Sequence, residues 1–323
     1  MQADKKLNGT GERSAVKKYG RGRTRTYAVG ALVLLAAATG CGGGDTGSAA
    51  AALGGSQGAA KPSTGGAAQT PAATAPPAAS SPAVPPAAGD AAAWAKWGLK
   101  PLPPAPAAPA DKPVKLQRTG PVPVFSEVRT NDKVVFITID DGAEKDPKFV
   151  EMLTELKVPV SMFLTRDIVK DDYGYFKPLQ ALGNHIHNHT VDHAQMSKVA
   201  PEKQKSEICD AQSALTQQYG TAPLLFRPPY GDGANTPALN TSVQQCGPRA
   251  IVLWRESMQI HDMQYQAADK KLKPGDIVLA HFRGPKDLKG ESMTQMFGEM
   301  LARIQEQGFA VARLEDYIQP PAP

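Results

Sequence analysis

The chain has 323 residues, with 36 Lys and Arg against 31 Asp and Glu and a formal charge of +5. Eight of those basic residues and two of the acids lie in residues 1–26, so the body holds 28 against 29 and is close to neutral. A nucleic-acid binder needs a basic face to displace counterions from phosphate, and this composition excludes that class.

The basic N-terminus runs into an apolar stretch of about 13 residues, too short to span a bilayer but suited to the core of a secretory signal. It ends in Ala38-Thr39-Gly40-Cys41, which resembles the lipobox of bacterial lipoproteins. That resemblance implies a signal peptide over residues 1–41, lipidation of Cys41, and anchoring at the outer face of the cell membrane or in the cell wall. The family usually has Leu where Ala38 stands. Cleavage after Ala36–Ala38 would instead give a soluble secreted protein.

Residues 42–115 are mostly Gly, Ala, Pro, Ser and Thr, a low-complexity linker without material for a core. About 75 such residues span about 50 Å if flexible and up to roughly 230 Å if fully extended. Trp94, Trp97 and Leu99 interrupt this texture. They fit either a short turn packed on the folded domain or a contact with wall glycans.

Residues 116–323 should form one domain of roughly 200 residues. Its first strong element is Val134-Val135-Phe136-Ile137-Thr138-Ile139-Asp140-Asp141-Gly142, an apolar run of the kind buried on both faces of a parallel sheet. Two like charges at its end disfavour each other's ionisation, and a bound cation would relieve that cost. A plain Asp-Asp-Gly turn explains the same residues.

Further strands are predicted at 160–165, 184–189, 224–227, 251–254, 277–282 and 309–313. Helices are predicted at 147–156, 201–219 and 294–307, with Pro147 and Pro201 in first turns. This alternation argues for a parallel sheet, and six or seven units argue for a barrel.

Four of the six histidines, His185, His187, His189 and His193, fall within nine residues. His189 and His193 share a face if a helical turn begins at Thr190, and such a pair offers two nitrogens to one metal. With a carboxylate from the first strand this is the make-up of a hydrolytic zinc site. Strand alternation could equally select His185 or His187. Cys209 and Cys246 are free to pair in an exported protein, although sequence cannot set their Cα atoms within 7 Å. Later come Arg227-Pro228-Pro229-Tyr230 at a strand end and Leu279-Ala280-His281 at the tip of another.

Asp140-Asp141, His189-Thr190-Val191-Asp192-His193, Arg227-Pro228-Pro229-Tyr230 and Leu279-Ala280-His281, in this order and spacing, resemble the motifs of the polysaccharide deacetylases, carbohydrate esterase family 4. The resemblance covers about residues 131–318. It implies a distorted (β/α) barrel of about seven strands and hydrolytic removal of acetyl groups from a glycan, such as peptidoglycan or a chitin-like polymer.

By position it makes Asp140 the general base, His281 the general acid and Arg227 the residue that orients Asp140. Asp141, His189 and His193 become ligands of one divalent ion, zinc first, with Co2+, Ni2+ or Mn2+ also compatible with such ligands. The Tyr230 backbone N–H would hold the oxyanion and Leu279 would line the acetyl pocket, with Pro229 and Trp254 also along the substrate. The implied partners are the acetylated polysaccharide and the membrane through the lipid anchor; oligomeric state is not legible.

The fourth motif departs from the family. After Trp254, Ser257, Ile260 and His261 stand where the spaced aspartates and second tryptophan are expected, and Glu256 or Asp262 is the candidate substitute for the missing carboxylate. His185 and His187 are additions to the pattern. Two other readings share these residues: an esterase removing O-acetyl groups from a xylan-type glycan, and a surface lipoprotein that binds metal or glycan without turnover.

Overall fold

The computed structural model describes residues 90–322; the signal segment, Cys41 and the linker through residue 89 lie outside the described residues. Helix α1 (Ala91–Lys96) opens the described chain, capped by Asp90, which accepts the Ala92 N–H at 3.2 Å. Six residues are too few to hold a helix in isolation, so packing must hold this one. Trp94 is buried in the principal core and Trp97 Nε1 donates to Glu155 Oε2 at 2.7 Å. The tryptophans therefore pack on the domain, and the fold begins upstream of the boundary expected at residue 116.

Strands β1 (Val114–Lys115) and β2 (Val124–Phe125) lead to β3 (Val134–Asp141), buried along its length except at Asp141. Its side chains alternate with the period of two that a strand imposes. Val135, Ile137 and Ile139 join the large outer core with Phe149, Met152 and Leu153 of helix α2 (Pro147–Leu156). Val134 and Phe136 turn inward to Phe163, Leu225, Val252 and Ile277. Helix α2 starts where predicted because Asp146 caps Lys148 N at 2.9 Å and Pro147 takes the first turn.

The alternation continues through β4 (Ser161–Leu164), α3 (Arg166–Val169), α4 (Phe176–Ala181), β5 (His185–Asn188), α5 (Pro201–Tyr219) and β6 (Leu225–Phe226). Then follow α6 (Pro237–Cys246), β7 (Ala250–Val252), β8 (Glu256–Met258), β9 (Met263–Tyr265), β10 (Ile277–His281), α7 (Met293–Glu306), β11 (Ala310–Val311) and β12 (Ile318–Gln319). Among the described residues no helix is long and apolar enough to cross a membrane.

The main ladder runs β2-β7-β6-β5-β4-β3-β10, seven strands, all parallel. On the far side of β10 lies β8, parallel to it and paired in turn with antiparallel β9. Because β7 pairs with β6 while β8, three residues later, pairs with β10, the sheet curls nearly back on itself. Arg255 N donates to Ile277 O at 2.9 Å across that seam. The result is a mixed α/β fold with a curled, distorted (β/α) barrel, as expected. The C-terminal ends of β3, β5, β6 and β10 open on one rim, where sites in such barrels lie.

Cys209 on α5 and Cys246 at the end of α6 form a disulfide, with Cα atoms 4.7 Å apart. It ties together the two helices that flank the β6 loop.

Candidate active site

The rim site begins where β3 ends. Asp141 has φ 74 and Gly142 φ 90. A Cβ added at Gly142 would lie 2.4 Å from Val169 Cγ1, so the turn demands glycine. This reversal leaves Asp140 buried and facing into the barrel, with Asp141 at the partly exposed rim.

His189 follows β5 directly. Its Nδ1 lies 2.7 Å from Arg227 O. A carbonyl only accepts, so Nδ1 carries a proton and Nε2 is the ring nitrogen turned to the rim. That Nε2 stands 3.5 Å from Asp141 Oδ1 and 3.7 Å from Asp140 Oδ2.

His193 arrives differently from the sequence expectation. No helical turn begins at Thr190; the segment is a bend with Thr190 at φ 73 and His193 at φ 64. Side chains replace the missing helical hydrogen bonds. Asn188 Oδ1 accepts Thr190 N at 2.9 Å, and Thr190 Oγ1 accepts His193 N at 3.1 Å. His193 Nε2 then lies 3.2 Å from Asp141 Oδ1.

One ligand atom from each of Asp141, His189 and His193 lies within 4.8 Å of the others. Two ligands about 2.1 Å from one tetrahedral ion stand about 3.4 Å apart, and the 3.2 and 3.5 Å separations match. Asp141 Oδ1 is buried without a hydrogen-bond partner, as an oxygen reserved for a cation would be. Burial works to raise the Asp141 pKa, but the contacts with His189 and His193 outweigh it and hold the carboxyl well below the usual range. An anionic oxygen with two imidazoles is a fitting donor set for a divalent ion.

Arg227, fully buried, donates from Nη1 to Asp140 Oδ1 at 2.7 Å and to Thr138 Oγ1 at 2.9 Å. Its Nε and Nη2 donate to the carbonyls of Val252 at 2.9 Å and Leu253 at 3.2 Å. Main-chain oxygens of the β7–β8 seam thus take two of the three guanidinium N–H groups that Asp140 and Thr138 leave free, and Phe163 stacks 4.2 Å beneath the group. Beside it the Pro229–Gly231 turn holds Tyr230 at φ 61, the residue 69% exposed and its ring edge-on to His193 at 4.8 Å. Pro229 and Leu279 are buried below, and the Trp254 ring packs over Gly231.

His281 pairs in register with Asp140 across the β10–β3 ladder. Burial lowers its pKa to about 4, against the pull of Asp140 and Asp141 in the other direction. The expected substitute carboxylate is absent. Glu256 is buried against Asp276, and burial together with that neighbour pushes it up to about 8. Asp262 Oδ1 instead accepts from Arg303 Nη2 at 2.8 Å, and His261 Nδ1 lies 3.2 Å from Glu299. Among the described residues no hydrogen bond or ion pair joins Glu256 or Asp262 to His281.

The two extra histidines lie away from the rim. His187 is buried with Nε2 2.7 Å from Glu315 Oε1, which also accepts Ser161 Oγ at 2.7 Å. His185 stacks on His187, ring centroids 6.2 Å apart. Strand alternation alone could not exclude them; the pairing with Glu315 takes up His187, and His185 stacks on it away from the Asp141, His189 and His193 cluster. Sequence reading also passed over Glu207, whose carboxylate accepts the N–H groups of Val191 and Asp192 at 2.9 and 3.0 Å. Nothing in its helical context marks it.

The family model described as polysaccharide deacetylase matches residues 127–251. The chain is 38% identical over 197 residues to an uncharacterized protein of Streptomyces coelicolor, covering 61% of this chain and 77% of the relative. It is 26% identical over 202 residues to a peptidoglycan-N-acetylglucosamine deacetylase of Bacillus cereus, covering 60% of this chain and 92% of that one. Among solved structures, the Bc1960 peptidoglycan N-acetylglucosamine deacetylase superposes with TM-score 0.52 at 22% identity, over 61% of this chain and 92% of that chain. That likeness is one of fold.

Proposed function

The chain belongs to the polysaccharide deacetylase family, and from that premise we propose that it hydrolyses acetamido groups on an N-acetylglucosamine-based wall glycan, releasing acetate. The observation that carries this reading is the convergence of Asp141, His189 and His193 within 4.8 Å beside an Asp140 gripped by Arg227. Asp141, His189 and His193 would hold a divalent ion, with zinc the first candidate. When bound, such an ion polarises the acetyl carbonyl and lowers the pKa of water towards about 7.

The protein's own groups supply the rest. Arg227 occupies Asp140 Oδ1, so Oδ2 is the oxygen left to take the proton of the attacking water. The sharp Pro229–Gly231 turn brings the Tyr230 backbone to the rim as an oxyanion donor. Leu279 and Trp254 are the apolar walls for the acetyl methyl. The proton removed from water is the one the departing amine needs, so Asp140 can close the balance. His281 is neutral near pH 7, and it donates only after collecting that proton, unlike the freely titrating general acid expected from an ordinary histidine.

The N-terminal sequence supports export and lipid anchoring through Cys41 as part of the same proposal, with the linker as a tether into the wall. The lack of any link from Glu256 or Asp262 to His281 favours one opposing reading, a surface lipoprotein that holds metal or glycan without turnover. Acetate release from N-acetylglucosamine oligomers, with and without chelator, separates the two. Chelator-sensitive release supports the deacetylase; metal binding without release supports the opposing reading.

A further inference from the structure

We propose that Glu207 is the positioning residue for His193, setting the metal-binding bend from the outside. This inference rests on the metal reading of the rim site and names a residue beyond it. Glu207, on α5, is wholly buried. One of its oxygens, Oε2, accepts the backbone N–H groups of Val191 at 2.9 Å and Asp192 at 3.0 Å. The other accepts from Lys203 Nζ, which also reaches Asp192 Oδ2 at 3.4 Å. A buried carboxylate is costly unless its acceptor capacity is used, and here one oxygen is turned on the two residues just before His193 while the other is taken by Lys203.

The bend needs such a hold. Thr190 and His193 both adopt left-handed backbone, a conformation that persists in residues other than glycine only when the surroundings over-determine it. Asn188 is pinned from the same helix, donating to Ile208 O at 2.9 Å and Gln212 Oε1 at 3.0 Å. His189 has separate anchors, Leu164 O on its backbone N–H and Arg227 O on its Nδ1. The backbone of His193 is held by Thr190 Oγ1, and its ring meets only the edges of the Tyr230 and His189 rings besides Asp141 Oδ1. Movement at Val191 and Asp192 would therefore displace His193 while leaving His189, Asp141 and the Asp140–Arg227 pair in place.

The test is Co2+ binding to the full chain for the wild type, Glu207→Gln and His193→Ala, followed by visible absorption and by thermal melting without metal. Glu207→Gln keeps the size of the side chain but sets an amide against Lys203. We expect Co2+ affinity to fall about 10–100-fold, the range for outer partners of metal ligands, with an altered Co2+ spectrum. An unchanged affinity and spectrum, with only a lower melting midpoint, would make Glu207 merely structural and overturn the proposal. As a measurement independent of any variant, the Val191 and Asp192 amides of the metal-free wild type should resist hydrogen exchange; rapid exchange in the folded protein also overturns it. Failure of the wild type to bind Co2+ would sink the metal reading itself. Wild-type binding that is lost in His193→Ala but intact in Glu207→Gln would remove this inference alone.

Discussion

Arg227 Nη1 stands 2.7 Å from Asp140 Oδ1, and both side chains are buried. The pairing fixes which carboxylate oxygen faces the ligand cluster, because the guanidinium is itself locked by two main-chain carbonyls and a ring. Lysine keeps the charge but not the planar fork. For Arg227→Lys we expect acetate release to drop about 100-fold, the scale of a displaced catalytic group, with metal content unchanged. Arg227→Met strands a buried charge and should cost about 3–5 kcal/mol in denaturant unfolding. Near-normal turnover in Arg227→Lys would remove Arg227 from the machinery.

The Glu256–Asp276 pair gives stability a pH dependence. Burial and the neighbouring Asp276 raise the Glu256 pKa to about 8 in the folded protein, from an ordinary 4.5. The folded state therefore binds more protons than the unfolded state between those values. Its contribution is fully present below the ordinary pKa and is lost as pH rises through about 8. Glu256→Gln should lose less stability than the wild type between pH 6 and 9, read from unfolding midpoints. Parallel curves would contradict the assignment.

The Cys209–Cys246 bridge closes a 37-residue separation. Constraining an unfolded chain over such a loop is worth about 2–4 kcal/mol. The double Cys209→Ser, Cys246→Ser variant should melt lower by roughly 2–4 °C for each kcal/mol lost. Equal melting of the reduced and oxidised wild type would show that the bridge contributes nothing.

The parts of the site that were legible in the sequence are those carried by strand ends. Asp140, Asp141, Arg227 and His281 each end or follow a buried apolar run, His189 follows the histidine-rich strand β5, and the parallel ladder then brings them to one rim. The path to His193 was not legible, because its bend is made by side-chain acceptors on Asn188 and Glu207 rather than by helical periodicity. Sequence offers Trp94 two places, on the folded domain or against wall glycans, because composition hides a six-residue helix whose stability comes from the core it joins. The fate of the fourth motif was equally hidden. Spacing showed that the expected carboxylates were missing, but only the fold shows Glu256 turned to Asp276 and Asp262 to Arg303.

Asp140 and Asp141 are proposed for different jobs, base and metal ligand, and metal content and acetate release measured on the same samples separate the two. Asp140→Asn should bind as much divalent metal as the wild type and release no acetate from N-acetylglucosamine oligomers. His189→Ala should lose both. Wild-type turnover in Asp140→Asn, or full activity in a metal-free His189→Ala, would contradict the account.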